Sequence, residues 1–122
     1  MAGAVLITGA SSGIGEITAR HLSARGWQVF GTSRHAREDR DGIRFVVMDV
    51  RDTNSVNTAL SQVLSECEGL EALVCNAGMG IFGAVEEVSI ENAKDQFETN
   101  YFGVLRVLRA ALPSMREAKR GR

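Results

Sequence analysis

Ala4-Val5-Leu6-Ile7-Thr8-Gly9-Ala10-Ser11-Ser12-Gly13-Ile14-Gly15 is an apolar run that passes directly into a polar loop holding three glycines. The run lacks the alternation of a strand with one wet face, so it reads as a strand buried on both sides. Glycines at 9, 13 and 15 let the backbone turn tightly and approach a ligand closely. The helical pattern that follows presents free N–H groups and a positive dipole end to the same loop. Strand, glycine loop and helix N-terminus in this order build a pyrophosphate site, whereas an ordinary strand-to-helix turn needs one glycine rather than three. The spacing is not G-x-G-x-x-G, and the lysine of a P-loop is missing.

Working outward, Ile14 to Arg25 reads as a helix whose apolar face is Ile14, Ile17, Leu22 and the alanines, with Gly26 at its C-cap. Trp27 to Thr32 is a second strand. His35 to Asp41 is a polar surface connection, and Ile43 to Val50 resumes the strand pattern. Asp52 or Thr53 caps a helix with Val56, Leu60, Val63 and Leu64 on one face; Gly69 ends it, and Glu71 to Asn76 is a fourth strand. A loop with Gly78, Gly80 and Gly83 and a turn near Val85 to Val88 leads to Ser89, an N-cap. One long helix is expected from there, carrying Phe97, Tyr101, Val104, Leu105, Leu108 and Leu112 on a stripe that must bury against something. Pro113 weakens this helix locally, and the polar, basic Met115 to Arg122 shows no further strand.

Short β-rich runs alternating with helices argue for βαβ units, an α/β doubly wound parallel sheet. Right-handed crossovers give the strand order 3-2-1-4, with a switch point between the first and fourth strands where ligands bind outside the carboxyl ends. Both glycine-rich segments lie there.

The 122 residues, 44% hydrophobic and 24% charged, suit one globular domain, residues 1–122. A net charge of −1 offers no general attraction for nucleic acid or an acidic membrane. Cys67 and Cys75 have no metal-ligand spacing, and His21 and His35 are the only histidines, so no metal site is expected. Buried free thiols and the absence of a targeting segment point to a reducing, cytoplasmic setting.

The glycine loop resembles the T-G-x-x-x-G-x-G loop of the short-chain dehydrogenase/reductase family. Asp49-Val50, Asn76-Ala77-Gly78 and Asn100-Tyr101-Phe102-Gly103 match further family motifs in order, and together they span nearly the whole chain. The resemblance implies a Rossmann-like domain in which Gly9, Ser11, Ser12, Gly13, Ile14 and Gly15 cradle the pyrophosphate and adenosine ribose. It implies that Asp49 accepts from the adenine amino group with Val50 beside the ring, and that Asn76, Ala77 and Gly78 line the nicotinamide-side ribose. Asn100 would support a water and a lysine in the family's proton relay. At the end of the second strand an acid would hold the 2′-hydroxyl of NAD, whereas an arginine can pair with the 2′-phosphate of NADP. Here Gly31-Thr32-Ser33-Arg34 has no acid before Glu38, so Arg34 favours NADP over NAD, and Arg37 can share the role.

The family pattern breaks where a carbonyl would receive its proton. The family's serine and Tyr-x-x-x-Lys lie beyond the Asn100 helix. The one tyrosine, Tyr101, is followed four positions later by Leu105, and Lys94 and Lys119 are not placed to serve. The chain alone is therefore expected to be inactive and its sheet truncated before a fifth strand. Two readings stay open: the cofactor half of a longer enzyme that interconverts an alcohol and a carbonyl, or a non-catalytic nucleotide-binding or self-associating half-domain. Met79, Ile81 and Phe82 hint at an apolar substrate such as a steroid, retinoid or acyl chain. The bare edge at Leu73 to Asn76, with the apolar stripe, predicts a homo-oligomer or pairing with a complementary half.

Overall fold

The computed structural model describes residues 2–122; Met1 lies outside them. Four strands, β1 (Ala4–Ile7), β2 (Gln28–Ser33), β3 (Ile43–Val47) and β4 (Leu70–Val74), form one parallel sheet of order β3-β2-β1-β4. The expected fold class and strand order are what the molecule adopts. β1 sits centrally, pairing Val5 with Val29 of β2 on one side and with Ala72 of β4 on the other.

Because strand side chains alternate, each face gets its own core. Val5, Ile7, Val29, Ile43 and Phe45 point toward helix α1 (Gly13–Ala24). Leu6, Phe30, Val46 and Met48 point the other way, where helices α2 (Thr53–Ser65) and α4 (Gly103–Glu117) cover them. Each large aliphatic side chain so buried contributes about 1.5–3 kcal/mol.

Strand ends are set by where backbone groups find other partners. β3 stops at Val47 rather than Val50 because the Asp49 N–H turns to the Ser55 hydroxyl at 2.9 Å and the Arg51 N–H to the Asp49 carboxylate at 2.9 Å. β4 runs from Leu70 and stops at Val74, since Asn76 is already bonded to Thr8. Capping follows the sequence. Asp52 accepts from the Ser55 N–H at 3.1 Å and Ser89 from the Asn92 N–H at 3.0 Å, while Gly26 with positive φ follows the C-cap of α1.

Two helix faces differ from expectation. In α1 the buried residues are Gly15 and Ala19, whereas Ile14 and Ile17 stand 78% and 70% exposed. The helix packs close to the sheet through small residues, and larger side chains on that face would hold it away. The expected long helix is also interrupted. α3 (Ile90–Phe97) passes into a π-helical turn, Glu98–Phe102, before α4 begins. An i→i+5 turn shifts the phase of everything after it. The face of α4 that meets the sheet is Gly103, Val107, Ala111 and Met115. Phe97, Tyr101, Leu105 and Leu112 are exposed and Val104 and Leu108 half-buried, so the expected core stripe faces largely outward. Pro113 stays within α4.

The outer edge of β4 is less bare than the sequence implies. The Leu73 N–H donates to the Arg122 carbonyl at 2.9 Å, and the Arg122 N–H to the Glu71 carbonyl at 3.1 Å. These are the two bonds of one parallel rung. The chain returns to the edge through a turn at Lys119, with Arg120 bonded to the Glu68 carbonyl. Beyond that rung, the Cys75 N–H has no backbone partner among the described residues.

Candidate functional site

The two glycine-rich loops meet where β1 and β4 end. Thr8 is 1% exposed, and its hydroxyl accepts from the backbone N–H of Asn76 at 3.0 Å and of Ala77 at 2.9 Å. The Asn76 amide returns the contact, donating to the carbonyls of Thr8 and Gly9, each at 3.1 Å. A second buried threonine does the same on the other side. The Thr32 hydroxyl accepts from the Gly9 N–H at 3.2 Å, and its carbonyl from the Ala10 N–H at 2.9 Å. Three strand ends are thereby locked to one loop. Sequence reading passed over both threonines as site residues; the available signal was a polar residue closing an apolar run beside glycine.

The glycines serve different needs. Gly9 takes a left-handed φ of 68°, and a Cβ there would stand 3.0 Å from the Ala77 Cα. Gly15 has ordinary helical geometry, but a Cβ would lie 2.2 Å from the Gly9 carbonyl oxygen and 2.5 Å from the Asn76 amide nitrogen. Space, not conformation, demands glycine at 15.

Around this junction opens a cleft of about 440 Å³. Gly9, Ser11, Ser12 and Ile14 form one wall, Arg34, Asp49 and Val50 another, and Asn76, Ala77 and Gly78 the floor beneath Met79. Gly13 and Gly15 do not line it: Gly15 is buried behind the loop, and Gly13 opens α1 on the exposed side. Asn100 stands outside the lining as well. It exchanges two hydrogen bonds with the Met79 backbone, donating to its carbonyl at 2.6 Å and accepting from its N–H at 2.8 Å.

The electrostatics of the cleft are set by what lacks a protein partner. Helices α2 and α3 are capped by their own side chains, whereas Ser12 makes no capping bond to α1. The N–H groups of that helix start, with their positive dipole end, remain available at the cleft wall. The Arg34 guanidinium makes no hydrogen bond or ion pair among the described residues, but Arg37 is committed. It donates to the Ser11 carbonyl at 2.8 Å and lies 5.5 Å from the centre of the Phe45 ring. Asp49, the only acidic residue lining the cleft among the described residues, uses Oδ1 on the Arg51 N–H. Tyr101 packs edge-on against Phe102 and is 54% exposed, so it offers the cleft no acid. Both thiols are free and half-buried, and burial raises the pKa of Cys75. Among the described residues no helix is long and apolar enough to cross a membrane.

Comparison with known proteins agrees with this architecture. A family model described as short chain dehydrogenase matches residues 3–122. The chain is 48% identical over 118 residues to a 3-ketodihydrosphingosine reductase of Bacteroides thetaiotaomicron, covering 97% of this chain and 44% of that protein. A short-chain dehydrogenase from Streptomyces avermitilis superposes with a TM-score of 0.91 at 35% identity, covering 99% of this chain and 47% of that one. An alcohol dehydrogenase from Thermococcus sibiricus, solved with 5-hydroxy-NADP, gives a TM-score of 0.88 at 32% identity over 98% of this chain and 56% of its own. The chain thus spans about half the length of the proteins it matches. It belongs to the short-chain dehydrogenase/reductase family.

Proposed function

We propose that the cleft binds NADP(H), and that in a protein of full family length this chain is the cofactor half of an enzyme interconverting an alcohol and a carbonyl. The observation that carries the reading is the Thr8–Asn76 junction. It brings both glycine loops to one cleft with an uncapped helix start at one wall and an uncommitted arginine at the end of β2. The N–H groups of the uncapped helix start beside Ser12 and Ile14, which line the cleft, hold the pyrophosphate. Asp49 Oδ2 accepts from the adenine amino group beside Val50, while Asn76, Ala77 and Gly78 keep the floor low under the second ribose. Arg34 pairs with the 2′-phosphate. The bound cofactor supplies hydride transfer. Asn100 steadies the backbone at Met79, beside the floor of the cleft. Catalytic serine, tyrosine and lysine groups belong, on this reading, to sequence outside these 122 residues.

The test is the Arg34→Ala variant, titrated with NADPH and NADH by fluorescence. A lost charge-assisted hydrogen bond is worth about 1.5–3 kcal/mol, so NADPH binding should weaken by roughly tenfold or more. NADH binding should change little, and equal losses for both cofactors would sink the assignment. A second reading, a non-catalytic module that self-associates, draws support from the outward stripe of α4. Leu108 and Leu112 line a groove of about 420 Å³ with Leu73 and Met115.

A further inference from the structure

We infer that Arg106 is a positioning residue that couples the two sides of the cleft, an inference that rests on the dinucleotide reading above for its functional consequence. The π-helical turn Glu98–Phe102 carries Asn100, and such turns are rare and persist where other contacts hold them. Arg106, in the first turn of α4, holds this one. Its Nη2 donates to the Glu98 carboxylate, its Nη1 to the Val50 carbonyl at 3.1 Å, and its Nε to the Thr53 hydroxyl at 3.2 Å. The side chain is only 22% exposed. One planar guanidinium thus meets three partners from three segments, which a lysine ammonium on its flexible stem does not reproduce.

Val50 is gripped twice. Arg106 takes its carbonyl, and a Cβ on Gly103 would lie 2.8 Å from its Cγ2, so the start of α4, directly after the π-helical turn, packs closely against the Val50 side chain. Two residues beyond Glu98, Asn100 holds both backbone groups of Met79. Val50 and Met79 both line the cleft, one on the side assigned to adenine and the other by the floor assigned to the nicotinamide-side ribose. A continuous chain of bonds therefore runs from Val50 through Arg106 and Glu98 to Asn100 and Met79. Arg106 makes no hydrogen bond to Met79 or to the glycine loop among the described residues, yet it fixes how far apart the two sides stand. Supports of this kind hold a binding site in its working geometry.

The experiment uses the 122-residue chain with Arg106→Met, Arg106→Lys and Glu98→Gln substitutions. Hydrogen exchange at the Met79 N–H, followed by NMR without ligand, reads the coupling at a residue to which Arg106 makes no hydrogen bond. Exchange should accelerate by about tenfold in Arg106→Met and by less in Glu98→Gln. NADPH, which spans both sides, should lose about tenfold in affinity, while 2′,5′-ADP, which touches one, should stay within about twofold. Arg106→Lys should behave like Arg106→Met. Unchanged Met79 exchange in all three variants would overturn the proposal, as would parental behaviour of Arg106→Lys or equal weakening of both ligands. Should Arg106→Met not fold, the other two variants carry the same test. If the parent binds neither nucleotide, the dinucleotide reading fails while the exchange data still decide the coupling.

Discussion

Replacing Gly15 with alanine adds one methyl group at the most crowded point of the glycine loop. An ideal Cβ would stand 2.2 Å from the Gly9 carbonyl oxygen and 2.5 Å from the Asn76 amide nitrogen. Both are well inside ordinary contact, and the nearer atom is backbone, so the loop must move. Overpacking of this kind costs about 1–3 kcal/mol. Displacing Asn76 also strains its two bonds to Thr8 and Gly9, each worth about 1 kcal/mol. Against this, alanine gains about 1 kcal/mol over glycine in helix propensity. With both bonds lost, the balance is a loss of about 2–4 kcal/mol, or a melting temperature lower by roughly 8–16 °C for a chain of this size. Thermal denaturation followed by circular dichroism measures it, with Gly13→Ala as the comparison. Gly13 has φ 58° but nothing within 4 Å of a Cβ, so its variant meets only backbone strain of about 1–2 kcal/mol. Adding Asn76→Ala to Gly15→Ala relieves the softer contact and leaves the carbonyl clash, so stability should not return. A Gly15→Ala protein melting within about 2 °C of the parent would refute this packing argument.

Two further outcomes follow from the thiol and the outward helix face. Burial pushes the Cys75 thiol up, so its contribution to stability is fully present below the thiol's unfolded pKa and is lost as pH rises through the folded value. Iodoacetamide should therefore alkylate Cys75 more slowly in the folded chain than in urea at the same mildly alkaline pH, with equal rates by peptide mass analysis counting against a protected thiol. On α4, Leu105 and Leu112 stand 39% and 41% exposed, and Leu112 lines the groove beside Leu73 of β4. Sedimentation should show a concentration-dependent shift toward a dimer that Leu105→Lys with Leu112→Lys abolishes; a monomer at every concentration would contradict it.

The sheet order was legible because its causes are local: an all-apolar β1, helices between strands, and one permitted crossover hand. The caps at Asp52 and Ser89 were legible for the same reason, since a cap needs only its own neighbours. Most of the cleft lining was readable too, because the glycine loop, Asp49, Val50 and the Asn76 triplet each follow a strand end, and parallel order brings those ends together.

What depended on tertiary structure was every property that joins distant segments. Which face of α4 is buried could not be read from a single helical period. The π-helical turn before it shifts the phase, and that turn is held by Arg106 and Glu98 together with a carbonyl from Val50, far away in the chain. The exposure of Ile14 and Ile17 arises likewise from how closely α1 approaches the sheet. Thr8 looked like the end of a strand until Asn76 and Ala77 were set against it. Local propensity and period settle which elements form and in what order, whereas the faces they bury and the bonds that lock their loops depend on which backbone groups the fold brings within reach.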